Sequence, residues 1–292
     1  MIGSVTTSGS PRRTLPGATA ILGLVRACHP GPTAAVTVLT TALAVASGRD
    51  AAGCVLVAAA VLTGQLSVGW CNDAVDAGRD RTAERTDKPI VGGAVSARTV
   101  WTAAVVALVL CVPLSFASGT AAGTVHLVGV AAAWAYDLGL KATALSWAPY
   151  AVGFGSLPAF VALGLPGQPW PAWWAVLAGA LLGCGAHLAN VLPDISDDLA
   201  TGVRGWPQRL GPGRVRALVP LPLLLATGLL VLAPPGPPAA GGWAALAAAC
   251  VIALAGLSLG RRSPRVPFAV AVAVAGLDVV LLLAQGTGVA AS

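Results

Sequence analysis

Residues 52–80 read AGCVLVAAAVLTGQLSVGWCNDAVDAGRD. No charge interrupts the run from Ala52 to Asn72, and carboxylates then arrive together at Asp73, Asp76 and Asp80. An uncharged stretch of this length suits a helix crossing a hydrocarbon core about 30 Å thick at 1.5 Å per residue. Its acids fall at one end, near water. Asn72, Asp76 and Asp80 recur every fourth residue, a spacing that sets side chains about 6 Å apart on one helical face.

The same spacing returns far downstream. Residues 190–198 read NVLPDISDD, with Asn190, Asp194 and Asp198 in the N-x₃-D-x₃-D pattern and Asp197 beside them. Of the eleven acidic residues in the chain, nine lie in or beside these strings: Asp73, Asp76, Asp80, Glu84 and Asp87, then Asp194, Asp197 and Asp198, with Asp137 near in topology. Solvated helix caps would account for Asp80 or Asp198 singly. They account poorly for two matching strings on separate helices.

Composition sets the surroundings. The 292 residues are 56% apolar and 10% charged, where a soluble domain carries about 25% charged residues. With a mean hydropathy of +0.81, the chain belongs to the membrane class. Its six cysteines are scattered without a CxxC pair, so neither a disulfide framework nor a zinc site is expected. Arg12-Arg13 faintly resembles a twin-arginine export signal, but Arg26 interrupts the apolar stretch that follows. Residues 1–16 read as a disordered cytoplasmic tail, 17–29 as an interfacial or half-inserted helix, and 17–292 as one membrane domain.

Apolar runs between breakers give nine expected transmembrane segments, 32–48, 52–76, 98–117, 121–138, 142–163, 171–195, 214–233, 241–259 and 267–288. Alternating them places sixteen of the seventeen basic residues on one side, with Arg49 opposite. The positive-inside rule makes that side cytoplasmic, in the cell membrane. The net charge of +6 is then a topology signal, and a nucleic-acid role is not expected.

Like charges crowded beside hydrocarbon persist when a cation neutralises them. Oxygen ligands without His or Cys select a hard ion, and carboxylates completed by phosphate suit Mg²⁺. Basic residues follow each string: Arg81, Arg85 and Lys88 ahead of Pro89-Ile90, then Arg204 and Arg209, with Lys141 alone between the fourth and fifth segments. Acids for a metal beside bases for phosphate oxygens are what a diphosphate needs. For Arg98, Arg214, Arg216, Arg261, Arg262 and Arg265 the topology signal is explanation enough.

These residues resemble the UbiA superfamily of intramembrane prenyltransferases. Its first signature, N-D-x-x-D-x-x-x-D, is met by Asn72, Asp73, Asp76 and Asp80, and the loop after it by Lys88-Pro89-Ile90. The second, D-x-x-x-D, is met by Asp194 and Asp198. Its Tyr-to-Lys element is similar to Tyr136 and Lys141. The chain departs from the pattern at Asp137 and Ala142, where relatives often carry a hydroxyl residue and an Arg. The resemblance implies an all-α, polytopic, nine-helix UbiA-like fold in two four-helix pseudo-repeats plus one. It further implies an isoprenoid diphosphate donor, a lipophilic acceptor, surrounding membrane lipid and Mg²⁺ as cofactor.

By the same resemblance Asn72 and Asp76 hold one Mg²⁺, and Asp194 and Asp198 another. Asp73, Asp80 and Asp197 are further ligands. Arg81, Arg85, Lys88, Lys141 and Arg204 bind the diphosphate. Asp76, Asp194, Lys141 and Tyr136 form the catalytic set. A carbocation needs aromatic surroundings, for which Trp70, Tyr136, Trp147, Tyr150 and Phe154 are candidates. His187 is expected to hydrogen-bond within the bundle rather than assist deprotonation. Asp278 is either a helix-pairing partner or a pocket wall. Two other readings stand: a terpene cyclase on the same scaffold, and a transporter, which would want its acids at mid-bilayer.

Overall fold

The computed structural model describes residues 16–259 and 266–291. The expected tail before Pro16 lies outside the described residues, as do Arg12, Arg13, Arg261, Arg262 and Arg265. The described chain is helical: α1 Pro16–Ala27, α2 Pro30–Ala46, α3 Ala51–Thr82, α4 Ala97–Phe116, α5 Thr120–Leu138, α6 Ala148–Leu163, α7 Trp173–Val191, α8 Ile195–Ala200, α9 Trp206–Leu210, α10 Pro212–Leu218, α11 Pro220–Leu232, α12 Ala240–Leu259 and α13 Val266–Gln285. Local chemistry sets the boundaries. Asp50 and Ser96 cap α3 and α4 by accepting from the amides of Gly53 and Thr99. Proline opens α2, α6, α9, α10 and α11, where its missing N–H costs nothing.

Among the described residues, six helical stretches are long and apolar enough to cross a membrane: α3, α4, α7 continued through α8, α10 continued through α11, α12 and α13. The helices α2, α5 and α6 fall outside that set. Outward faces carry large apolar side chains such as Val55, Val109, Val251 and Val272, each more than half exposed, as a lipid-facing surface requires.

Two boundaries differ from expectation, and both matter for the site. First, α3 continues six residues past the expected end at 76. Its 32 residues span about 48 Å, more than the hydrocarbon core, so the whole first acidic string rides on one protruding helix. Second, α7 stops at Val191 rather than near 195. Pro193 lacks the N–H that would continue the α-helical hydrogen-bond ladder. The second string is therefore divided among the end of α7, a 3-10 turn at Leu192–Asp194 and α8. Asn190, Asp194 and Asp198 are thus not carried by one uninterrupted α-helix.

The helices pack in sequence, α3 on α4, α5 on α6, α6 on α7, α7 on α11, and α13 closes back on α2. The α6–α7 contact uses small residues. A Cβ at Gly179 would lie 2.8 Å from the Phe154 carbonyl oxygen, and one at Gly183 would collide with the Tyr150 carbonyl. Such close backbone approach is the usual role of glycines spaced by four in membrane helices. We expect Gly183→Val to cost about 2–3 kcal/mol by overpacking and to lower the melting temperature of the detergent-solubilised protein. Gly228→Ala, with open space around its Cβ position, should leave that temperature within a degree or two of the parent.

Asp278, fully buried on α13, accepts from Thr227 Oγ1 of α11 at 2.6 Å. It is a helix-pairing partner, the first of its two expected roles.

Candidate active site

The loop after α3 folds back onto that helix. Ile90 and Val95 bury against Ala74, Ala77, Ala27 and Val100 in a small apolar cluster, and Gly93 takes a positive φ of 74° that a side chain would resist. This return brings Lys88 Nζ within 2.9 Å of Asp73 Oδ1. His29, between α1 and α2, stands 3.8 Å from the same oxygen. Burial, and then the charge of Lys88, hold the His29 imidazole below its ordinary value. Nothing in the sequence pointed to His29, which lies more than forty residues from the first string.

One turn further along α3, Asp76 accepts from two cations through Oδ1, Arg79 Nη2 at 2.5 Å and Lys141 Nζ at 2.5 Å. Lys141 comes from the 3-10 turn Leu140–Ala142 just after α5, a turn entered through Gly139 at φ 151°. Asn72 donates from Nδ2 to Asp137 Oδ1 at 2.8 Å. Asp137 is buried, on α5.

The second string meets this group. Arg79 and Lys141, the partners of Asp76, also lie close enough to act electrostatically on Asp198. The Lys141 carbonyl also packs against Gly205, on the turn whose Gln208 holds Asp198. Two strings more than a hundred residues apart therefore end on the same side of the bundle. Asp198 Oδ2 accepts from Gln208 Nε2 of α9 at 2.7 Å. Beneath them lies an aromatic group: Tyr136 edge-on to Tyr150 at 5.2 Å, Tyr150 stacked on Phe154 at 6.4 Å, and His187 4.9 Å from Tyr150. Asn190 donates to the Tyr150 hydroxyl at 3.3 Å. His187 is buried, with Nε2 3.2 Å from Ser146 Oγ, in keeping with a role inside the bundle.

Other expected residues stand apart. Arg81, Arg85 and Arg204 are exposed and make no ion pair among the described residues. Asp194 and Asp197 are exposed, whereas Asp80 is buried. Trp70 spends its indole N–H on the Leu24 carbonyl, anchoring α1, and Trp147 is 39% exposed. Among the described residues no three His, Cys, Asp or Glu side chains form a ready metal cradle. A hollow of about 400 Å³ lined by Arg49, Ser118 and Gln168 belongs to the opposite end of the bundle, since Ala51 and Asp76 are separated by about 38 Å of helix. None of the motif residues lines it.

Three likenesses to known proteins bear on this arrangement. The chain is similar to a UbiA homologue from Aeropyrum pernix K1 (TM-score 0.68, 21% identity, covering 85% of this chain and 97% of that one). It is similar also to a UbiA homologue from Archaeoglobus fulgidus bound to GPP and Mg²⁺ (TM-score 0.67, 16% identity, covering 90% and 98%). In sequence it is 30% identical over 156 residues to the bacteriochlorophyll synthase 33 kDa chain of Cereibacter sphaeroides, a match spanning 51% of this chain and 50% of that protein. The profile of the UbiA prenyltransferase family matches residues 33–266, which contain both acidic strings, Lys88, Tyr136 and Lys141. The chain is all-helical with the UbiA fold, and it belongs to the UbiA prenyltransferase family.

Proposed function

We propose that this protein transfers an isoprenoid chain from its diphosphate to a lipophilic acceptor, with Mg²⁺, at the cytoplasmic rim of the cell membrane. One observation carries the reading: Lys141 holds Asp76, and its carbonyl packs against Gly205 on the turn whose Gln208 holds Asp198, so the two strings meet at one end of the bundle near the Tyr136–Tyr150 ring pair. The A. fulgidus homologue bound to GPP and Mg²⁺ supports the donor class and the ion. The positive-inside distribution supports the orientation. The family fold supports nine spans, with α2, α5 and α6 completing the six long ones.

The residues fit Mg²⁺. The donor set is oxygen only, and Asp73 keeps a buried Oδ2 without a hydrogen-bond partner. Mg²⁺ commonly takes only one or two carboxylates and completes its shell with phosphate and water, so a three-ligand cradle is not required. Asn72, Asp73, Asp76 and Asp80 would hold it from the first string, and Asp194, Asp197 and Asp198 from the second. When bound, it supplies Lewis-acid neutralisation of the diphosphate charge that grows as the allylic C–O bond breaks.

The protein's own groups do the rest. Lys88 and Lys141 offer ammonium donors to the remaining diphosphate oxygens, with Arg81, Arg85 and Arg204 available at the rim. Tyr136, Tyr150 and Phe154 present ring faces and edges to an electron-poor prenyl carbon and exclude water from it. The acceptor then attacks that carbon and releases its proton.

The test separates transfer from cyclisation. Membranes given geranyl diphosphate and Mg²⁺ alone should yield no cyclic hydrocarbon or alcohol. Adding a lipid extract containing the acceptor should give a prenylated product by mass spectrometry, and chelating the metal should stop it. A cyclic product without any acceptor would overturn transfer in favour of the cyclase.

A further inference from the structure

We propose that Asp137 and Gln208 are positioning residues, each locking a member of one acidic string through a half-buried carboxamide–carboxylate hydrogen bond. The inference rests on the metal-binding reading of Asn72 and Asp198 given above. In the first string the partner is a carboxylate. Asp137, 3% exposed on α5, accepts the Asn72 amide N–H at 2.8 Å. With its amide nitrogen held on Asp137, Asn72 turns its carbonyl oxygen the other way. In the second string the roles reverse. Gln208, 6% exposed on α9, donates its amide to Asp198 Oδ2 at 2.7 Å, leaving Oδ1 for a ligand.

The turn that carries Gln208 is seated on the segment that carries Lys141. Gly205 is buried, and a Cβ there would meet the Lys141 carbonyl, Ser146 Oγ at 3.0 Å and Gln208 Oε1 at 2.7 Å. The Trp206 amide donates to Ser146 Oγ at 3.0 Å, and the same hydroxyl reaches His187 Nε2. The turn 205–208 that holds Asp198 is thus seated on segment 141–146, whose Lys141 holds Asp76. This seat fixes one string relative to the other.

Packing alone does not account for the pairs. Gln208 Oε1 and Asp137 Oδ2 are both buried without a partner, a cost in stability that an apolar side chain of like volume would avoid. Asp194 and Asp197, which are exposed, accept no side-chain hydrogen bond of this kind among the described residues.

The experiment titrates Mn²⁺ into the purified full chain with inorganic pyrophosphate, read by electron paramagnetic resonance, alongside a thermal melt. Gln208→Leu should raise half-saturating Mn²⁺ about tenfold, equal to about 1.4 kcal/mol, without lowering the melting temperature. Gln208→Met serves if the leucine variant does not fold. Coupling is the decisive part: Asp198→Ala with Gln208→Leu should bind Mn²⁺ no more weakly than Asp198→Ala alone. Asp137→Leu should behave likewise against Asn72→Ala. If Asp198→Ala weakens Mn²⁺ binding while Gln208→Leu does not, or if the two effects simply add, the positioning role is overturned and the metal reading survives. If Asp198→Ala itself changes nothing, the metal reading of the second string fails and this inference with it.

Discussion

Asp76→Ala should abolish Mg²⁺-dependent release of pyrophosphate, lowering turnover by about a thousandfold or more, while the protein still inserts and folds. The size follows from what the carboxylate does. It is both a proposed ligand and the acceptor of Arg79 and Lys141, each at 2.5 Å. A metal that neutralises developing charge is worth several kcal/mol, and about 4 kcal/mol corresponds to a thousandfold in rate. Asp194→Ala should fall as far if the second string grips the same diphosphate. Asp76→Asn, which keeps the volume and loses the charge, separates chemistry from packing. It should melt near the parent temperature and be almost as inactive as Asp76→Ala. Pyrophosphate release in proteoliposomes reads the first quantity and a thermal melt the second. Substantial activity in Asp76→Ala would remove the first string from the mechanism.

The next largest effect is expected at Lys141. Its ammonium side chain is 11% exposed and lies where both strings feel its charge. Lys141→Met keeps the apolar stem and removes the cation. Losing one partner of a buried, hydrogen-bonded charge pair costs about 2–5 kcal/mol, so kcat/KM for the diphosphate donor should fall by about two to three orders of magnitude. Because Lys141 would contact the diphosphate before and during C–O cleavage, KM should rise as well as kcat fall. Lys141→Arg should restore only part of the loss, since a planar fork does not occupy the site of a compact ammonium. Steady-state kinetics with varied donor at fixed acceptor give both constants. An unchanged KM would show that Lys141 serves Asp76 alone.

Much of this was legible before any coordinates, for reasons tied to particular residues. A run without charge from Ala52 to Asn72 can hardly be anything but a membrane helix. Carboxylates at intervals of four on a continuous helix do share a face, and α3 delivers that geometry for Asn72, Asp76 and Asp80. The second string shows where spacing misleads. Pro193 interrupts α7, so identical spacing falls across a 3-10 turn, and Asp194 is left exposed while Asp198 pairs with Gln208. Lys88 and Lys141 were legible as cations near acids. Which acid each would meet depended on the return of Ile90 and Val95 onto α3 and on the turn after α5, both of them tertiary matters. His29, Ser146 and Gln208 carry no local pattern at all, and only the fold brings them to the strings. Arg81, Arg85 and Arg204 are the converse case. Sequence proximity put them in the site, but helix phase and loop direction leave them at its exposed edge.

The central claim is that both acidic strings grip one diphosphate through shared divalent ions. Its most direct test is the anomalous scattering of Mn²⁺ in crystals of the full chain grown with inorganic pyrophosphate. Manganese should lie within ligand distance of Asp76 and of Asp194 or Asp198, with a single pyrophosphate between them and Lys141 on its oxygens. Manganese on one string only, or pyrophosphate bound away from both, would contradict it.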